Sequence, residues 1–354
     1  MTFEKRKLAD AEKGYAITSL DILGEKRIFA ASEDRGPAVV FVSDPEMEQR
    51  IVSTDPGGSM GFAQVPGRDD GFYMITGFYP IFRAERAGIR LMSAVDRFNE
   101  PWTGELLVDL PFVHRIGSAL TAKGDFLIAA TICGGKDHRD DWSRPGSVLA
   151  FPIHADSSLG NPDTILDSIH RNHGMGFAKC RGVESLFIAG DEGVFALALP
   201  GCVDADGRSH GDWQVSVVID HPVSEISLVD FDSDGVDELV VFEPFHGNRL
   251  GVYKNAGEGW NSIYKAELEF GHGLSAGMLA GEPVIIVGNR AGDKDLLCYQ
   301  ILSSDPFRTE RFIVDSGTGT AGTEIVKSAW GDAIATSNPE YDEYALYIAG
   351  SEDT

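Results

Sequence analysis

The sequence lacks the features that mark membrane, secreted and disulfide-rich proteins. It has no apolar run long enough for a membrane-spanning helix, and its first residues, MTFEKRKLADAEKGY, contain no apolar signal segment. Cysteine is scarce, and none of Cys133, Cys180, Cys202 and Cys298 stands in CxxC spacing. Scattered cysteines of this kind indicate buried or free thiols in a reducing compartment. These absences predict a cytoplasmic protein without a membrane span.

Basic residues are also in deficit. The 30 Lys and Arg residues face 55 Asp and Glu residues, which gives a formal net charge of −25 at pH 7. Such a surface repels phosphates and anionic headgroups, so we expect no nucleic-acid or membrane partner. The phosphate-binding signature GxxxxGK[ST] and the zinc-protease signature HExxH are absent as well.

Helical periodicity is nearly absent, and 41 glycines with 16 prolines suit an all-β chain rich in turns. The clearest internal repeat pairs GSMGFA at Gly58–Ala63 with HGMGFA at His173–Ala178. The same frame finds five further unit starts, at Tyr15, His114, His221, His272 and Thr320. Each unit holds about four short strands, and units of roughly 40–50 residues are typical of propeller blades.

Seven units predict a seven-bladed β-propeller of four-stranded blades that forms a single domain over residues 1–354. The last unit, from Thr320, contains only three strands, and the segment Thr2–Ala9 supplies a strand in the missing position. Closing the ring with strands from both termini removes exposed strand edges. Six blades with an irregular N-terminal hairpin are the alternative.

An acidic loop, DFDSDGVDE, follows the start of the fifth unit. Carboxylates at alternate positions, a glycine for the turn and an acid at the ninth position form an oxygen cage for a hard cation. The flanking stretches SLV and LVVFEPF are β-rich, and this arrangement resembles the FG-GAP or VCBS-type repeat. We expect a structural calcium ion on the face opposite the channel mouth, or else a metal-free Asx turn. The predicted ligands are Asp230, Asp232, Asp234, the Val236 carbonyl and Glu238.

Four of the nine histidines stand at the starts of four consecutive units, where first strands line the channel. Neutral imidazoles that converge on one axis suit a divalent transition metal such as Zn, Mn or Fe. Glu225 and Glu324 each lie four residues into a unit, where their carboxylates face or flank the channel. Each is a metal ligand, a catalytic base, or a salt-bridge or hydrogen-bond partner of a neighbouring blade. The predicted metal ligands are His114, His173 and His272, then His246 from an intervening loop, and His221, which precedes a proline.

Two stretches, CGGKDHRDDWSRPG (Cys133–Gly146) and EPFHGNRLGVYKN (Glu243–Asn255), resemble segments in the propeller part of fungal aldos-2-ulose dehydratase and related bacterial propellers. The resemblance covers about the central half of the chain. It implies dehydration or isomerisation of oxidised sugars with divalent metal ions in the protein. The chain lacks the additional domain of the fungal enzyme, so the expectation is limited to the reaction of the propeller.

Elimination beside a carbonyl or carboxylate needs a base, an electrophile for the enolate and an acid for the leaving oxygen. A histidine-bound metal serves as the electrophile. The second-to-third loops place polar residues at the channel mouth. There we expect His138 or Tyr341 as base or acid, and Lys136, Arg249 or Arg290 to hold an anionic oxygen.

We therefore predict a metal-dependent carbon–oxygen lyase, a dehydratase that acts by β-elimination on an oxidised sugar or uronide. Its partner is a small carbohydrate. An isomerase or epimerase with the same enolate intermediate is one alternative. A non-catalytic propeller that binds a carbohydrate or a protein is the other.

Overall fold

The protein was analysed as a computed structural model that describes residues 1–41, 47–54, 57–80, 83–95, 102–180, 182–203, 211–257 and 259–350. These residues form strands, turns and loops. The described part of the chain contains no helix of the length and apolarity needed to cross a membrane.

The described residues form twenty-eight strands. The first fourteen are β1 Thr2–Asp10, β2 Gly14–Ile22, β3 Glu25–Ser32, β4 Ala38–Phe41, β5 Gln49–Ser53, β6 Phe62–Gln64, β7 Gly71–Thr76, β8 Gly88–Ser93, β9 Thr103–Asp109, β10 Val113–Thr121, β11 Gly124–Thr131, β12 Gly146–Pro152, β13 Asp163–Ile169 and β14 Gly174–Cys180. The others are β15 Val183–Gly190, β16 Gly193–Ala198, β17 Gln214–Ile219, β18 Ile226–Val229, β19 Glu238–Glu243, β20 Arg249–Asn255, β21 Trp260–Glu267, β22 Gly271–Leu279, β23 Glu282–Asn289, β24 Leu296–Ser304, β25 Phe307–Asp315, β26 Gly322–Ser328, β27 Gly331–Asn338 and β28 Glu343–Gly350.

The strands form seven antiparallel sheets of four strands each. Six sheets are consecutive meanders, which begin at β2, β6, β10, β14, β18 and β22. The innermost strands of neighbouring blades contact one another in sequence, and β26 contacts β2. The predicted seven-bladed all-β propeller is confirmed.

The seventh blade is built from both ends of the chain, as the sequence predicts. Its order is β26, β27, β28 and then β1, which pairs antiparallel with β28 from Thr2↔Gly350 to Asp10↔Glu343. Blade one then starts at β2, directly after β1. The ladder between the two termini joins the first and last blades through hydrogen bonds rather than side-chain packing alone.

Burial explains which sequences form which strand of a blade. The second strand of each blade packs between its neighbouring blades on both sides, so stretches such as FYMIT in β7 and ELVVFE in β19 are buried throughout. The outermost strand meets water on one side, and RTERFIVD in β25 alternates accordingly. Aromatic side chains fill the space between blades one and two, where Phe29, Phe72 and Trp102 are in contact.

The repeat starts seen in the sequence fall at or just before most innermost strands, with two informative exceptions. In blade two, β6 begins at Phe62, because Gly57 and Gly58 adopt positive φ and Gly58 lies against the Phe78 backbone. In blade five, β18 begins at Ile226, so His221 lies in the preceding connection and not on the strand. The proline after His221 has no N–H to donate to a strand ladder.

Candidate functional site

A cavity of about 520 Å³ opens on the propeller face where the first strands begin. Second-to-third loops of several blades form its walls. Its lining includes Tyr15, Glu33, Met60, Phe78, Phe112, His114, Ile132, Lys136, Arg139, Asp140, Trp142, His173, Phe245, His246, Phe270, His272, Arg290 and Glu340. Deep cavities with apolar walls and a few convergent polar groups are the usual form of small-molecule sites.

Four of the five histidines predicted as metal ligands meet in this cavity. His173, His246 and His272 form the tightest group, with one ring nitrogen of each within 4.8 Å of the others. Their ring centroids are 5.0 to 5.6 Å apart. His114 lies on the other side of His173, at 4.7 Å between centroids. We call His173, His246 and His272 the histidine triad.

Backbone geometry brings His246 into the triad from the loop between β19 and β20. His246 adopts a φ of 47°, a left-handed conformation that non-glycine residues rarely take. A Cβ on the next residue, Gly247, would lie 2.2 Å from the Glu243 carbonyl oxygen. The tight turn therefore needs glycine at 247. Strained residues of this kind concentrate at functional sites.

Hydrogen bonds orient two members of the triad. His272 Nδ1 donates to the Ala321 carbonyl at 2.8 Å, which leaves Nε2 without a proton. His173 Nδ1 donates a hydrogen bond to the Glu225 carboxylate at 3.2 Å, and its Nε2 lies 3.5 Å from the Tyr15 hydroxyl. An imidazole that donates one N–H to a carbonyl or carboxylate presents the other nitrogen as a ligand, as metal-binding histidines do.

His246 supplies the third nitrogen in a different manner. Its Nε2 is buried and has no hydrogen-bond partner among the described residues. Its ring stacks between Phe245 and Phe270, at centroid distances of 3.9 and 4.8 Å. A buried nitrogen without a partner is costly unless a ligand completes it. The triad therefore fits a borderline cation that prefers imidazole.

His114 carries its proton on the opposite nitrogen. Arg115 donates to His114 Nδ1 at 3.1 Å, so His114 Nε2 bears the proton and faces the Tyr15 hydroxyl at 3.2 Å. Arg115 is itself held by Glu225 at 2.6 Å. This arrangement makes His114 a hydrogen-bond donor beside the triad and not a fourth lone pair.

All four cavity histidines are neutral near pH 7, and burial is the main reason. Burial lowers the pKa of His246 to about 2, with repulsion from His173 and Arg290 adding to the effect. Burial also holds the pKa values of His114 and His272 well below their usual range. The pKa of His173 falls for the same reason, although Glu225 opposes the shift. Neutral imidazole is the form that binds metal ions.

Aromatic side chains wall one side of the cavity above the histidines. Trp142 packs edge-on against Phe245 at 5.6 Å between centroids. The Lys136 ammonium stands 3.1 Å from the centre of the Trp142 ring, a cation–π contact. Flat aromatic faces of this kind suit the apolar faces of a sugar ring.

Charged groups at the cavity rim include an acid that the sequence analysis did not select. Glu33 lines the cavity, and burial raises its pKa, while the charges of Arg290 and Lys13 oppose the shift. A carboxyl group with a raised pKa is a stronger base in its ionised form. Burial also lowers the pKa of Lys136.

The five predicted catalytic residues divide into two groups. Lys136 and Arg290 line the cavity, whereas the lining among the described residues does not include His138, Tyr341 or Arg249. His138 is exposed. The Tyr341 hydroxyl donates to the Ser316 carbonyl at 2.7 Å, and Arg249 pairs with Glu243 at 2.8 Å.

His221 and the two channel glutamates are also placed clearly. His221 is outside the triad, where its Nε2 lies 3.0 Å from Glu243. Glu225 supports His173 and Arg115 from below the cavity. Glu324 accepts a hydrogen bond from Ser19 at 2.9 Å, and burial raises its pKa.

Sequence reasoning missed three cavity-side groups: Tyr15, Glu33 and Arg115. Tyr15 occupies the position in unit one that histidine takes in four other units, so the repeat frame contained the signal. Glu33 and Arg115 stand out only once the blades are closed into a ring. Arg115 reaches Glu225 two blades further on, a contact across 110 residues of sequence.

The acidic loop lies between β18 and β19, on the face opposite the cavity. It brings ligand oxygens of Asp230, Asp232 and Glu238 within 4.8 Å of one another. Asp230 already accepts hydrogen bonds from the amides of Asp234 and Gly235. The Val236 amide donates to the Asp234 carboxylate at 2.8 Å, the bond pattern of an Asx turn. These bonds order the loop and leave the calcium prediction untested.

A lysine ammonium contacts the same carboxylates. Lys254 Nζ lies 2.5 Å from Asp232, 3.0 Å from Asp234 and 3.0 Å from Glu238. Burial lowers the pKa of Lys254, but the three acids more than offset this effect and raise it. A divalent ion in the loop would compete with this ammonium.

No protein-family profile matches the sequence, and no curated protein does. Several solved structures have the same fold, and each of those named here aligns with 99% of this chain. They include BBS1N from its complex with ARL6DN (9% identity, 97% of that chain, TM-score 0.57) and virginiamycin B lyase from Staphylococcus aureus (10%, 99%, 0.58). A chain of the mitotic checkpoint complex is also similar (10% identity, 94% of that chain, TM-score 0.62). At these identities the likeness shows the propeller fold alone.

Proposed function

We propose that the protein is a metal-dependent carbon–oxygen lyase that eliminates water or an alcohol from an oxidised sugar or uronide in the cavity. The histidine triad carries the proposal. Three neutral imidazoles converge there, two of them oriented by Nδ1 hydrogen bonds and the third with a buried nitrogen that has no partner. This donor set suits Zn, Mn or Fe.

The ion would polarise the carbonyl or carboxylate of the substrate and stabilise the enolate. Residues of the chain supply the rest of the chemistry. Glu33 in its ionised form takes the proton from the α-carbon, the β carbon–oxygen bond breaks, and a carbon–carbon double bond forms. The departing oxygen takes a proton from a neighbouring acid. The buried Tyr15 hydroxyl, whose pKa is raised by burial, is the candidate donor.

The resemblance to aldos-2-ulose dehydratase supports the proposal because both stretches that carry it contribute residues to the cavity. The stretch Cys133–Gly146 brings Lys136, Arg139, Asp140 and Trp142 to the cavity, and Glu243–Asn255 brings Phe245 and His246. The similar propeller named virginiamycin B lyase indicates that a lyase can use this architecture. Two more specific predictions from the sequence belong to this proposal. They are that the blade with the acidic loop is of the FG-GAP or VCBS type, and that the protein is cytoplasmic.

A turnover assay tests the proposal. Protein loaded with Zn, Mn or Fe is incubated with a panel of oxidised sugars and uronides, and the absorbance of a new unsaturated carbonyl product is followed. We expect turnover in the wild type, its loss in His272→Ala and its retention in the control His221→Ala, which lies outside the triad. Isomerised product without loss of water would indicate the isomerase alternative. Equal activity in His272→Ala and wild type would exclude the triad from the reaction.

A further inference from the structure

Arg290 is a half-buried cation in the cavity wall that forms no ion pair with any described residue. It directly follows β23, and its backbone amide donates to the Phe270 carbonyl at 2.9 Å. Among the described residues its guanidinium has no hydrogen bond and no carboxylate within 4.0 Å. Because the chain carries 55 acidic residues, a missing partner at this position is informative.

Three other cations near the cavity have a carboxylate partner. Arg115 pairs with Glu225 at 2.6 Å, Lys294 with Glu340 at 2.8 Å, and Arg171 with Asp191 at 3.3 Å. Removing a charge from water is costly unless a partner compensates it. Arg290 therefore has the character of a binding group whose partner is supplied from outside the chain.

The position of Arg290 defines where that partner would sit. Arg290 lines the same cavity as His246 and His272, two members of the triad. Its positive charge acts on the Glu33 carboxyl group, which lines the same cavity without forming an ion pair with it. The space among Arg290, Glu33 and the triad can therefore take a planar anion.

We propose that Arg290 binds the carboxylate of a monoanionic sugar acid of the hexuronate class. The proposal rests on the proposed function, because it narrows the substrate from oxidised sugars in general to sugar acids. Guanidinium and carboxylate form two parallel hydrogen bonds, and the aromatic wall at Trp142 and Phe245 receives the ring. A phosphate dianion is disfavoured because Glu33, Asp140 and Glu340 also line the cavity.

Calorimetric titration with matched ligand pairs tests this assignment. Metal-free full-length protein is titrated with glucuronate, galacturonate and mannuronate, and with the neutral amide of each. Glucose 6-phosphate serves as the phosphate probe.

The variant is Arg290→Gln, and the control is Arg86→Gln, which removes the same charge from an exposed position on the same face. We expect at least one uronate to bind the wild type about tenfold or more tighter than its amide, since charged hydrogen bonds are strong.

Arg290→Gln should abolish this preference, and Arg86→Gln should keep it. The assignment is overturned if every uronate and its amide bind equally, if no uronate binds at millimolar concentration, if the phosphate binds more tightly than all uronates, or if Arg290→Gln retains the preference. The readout needs no metal and no turnover. Uronate binding that depends on Arg290 without elimination activity would therefore defeat the proposed function and leave this inference intact.

Discussion

The histidine triad and the acidic loop both gather groups that bind divalent ions, yet they differ in how the chain treats their charge. The triad consists of neutral imidazoles, of which His173 and His272 are buried and His246 is half-buried, and no charged side chain among the described residues bonds to His246 Nε2. The acidic loop is anionic, and Lys254 contacts three of its carboxylates. The comparison teaches that a sequence motif for a cation can be compensated within the chain, whereas the triad keeps a buried nitrogen, His246 Nε2, that no donor among the described residues satisfies.

The largest effect is expected at Glu225, which supports the triad from below. Glu225→Gln leaves Arg115 buried without its anion and removes the acceptor for His173 Nδ1. Breaking a buried ion pair from one side costs about 3–5 kcal/mol. Denaturant unfolding of metal-free protein measures this loss. A change below about 1 kcal/mol would show that the pair does not hold the site together.

The neutral charge state of the triad predicts a pH dependence of stability. The folded pKa of His246 is lowered to about 2, and the unfolded value lies near 6.5. Its contribution is therefore complete above pH 6.5 and is lost as the pH falls, because only the unfolded chain takes up the proton. His246→Gln should reduce the slope of unfolding free energy against pH by about 1.4 kcal/mol per unit between pH 5 and 3. Identical slopes in variant and wild type would contradict a neutral buried imidazole.

Removing Lys254 tests the compensation in the acidic loop. Lys254→Met leaves the buried Glu238 without its cation, so we expect a loss of about 1–3 kcal/mol in the absence of calcium. Calcium should then raise the melting temperature of the variant more than that of the wild type. An equal calcium effect on both proteins would mean that the ammonium does not compete with the ion.

A small effect is expected at Tyr341, which the sequence suggested as a base or acid. Its hydroxyl bonds only the Ser316 carbonyl among the described residues, and 46% of the residue is exposed. Tyr341→Phe should change unfolding free energy by about 0.5 kcal/mol or less and leave turnover unchanged. A loss of turnover of about tenfold would return Tyr341 to the catalytic residues.

The fold was predictable because the propeller repeats one simple pattern. Buried second strands such as LFIAG and VIIVG are apolar throughout, and turn residues separate them at regular intervals. The terminal strand could be placed because the last unit had three strands and Thr2–Ala9 fitted the fourth position. Local sequence is sufficient for such features, since each blade repeats the same contacts.

The site was predictable only in part, because it depends on which residues the closed ring brings together. His114, His173 and His272 occupy equivalent positions in their repeats. Because this position faces the channel in each blade, the repeat pattern alone predicts that the three side chains line the cavity. His221 shares the register but precedes a proline, and the strand starts five residues later. Arg115, Glu225 and Glu33 belong to separate blades, so their mutual contacts have no signature in local sequence.

The metal content of purified protein tests the central claim most directly. Elemental analysis is performed on wild type, His272→Ala, His114→Ala and the exposed control His138→Ala, each reloaded with the same divalent ion and desalted. We predict one ion per chain in wild type, in the control and in His114→Ala, and near-complete loss in His272→Ala. Retention of the ion in His272→Ala, or its equal loss in His114→Ala, would contradict a site formed by His173, His246 and His272.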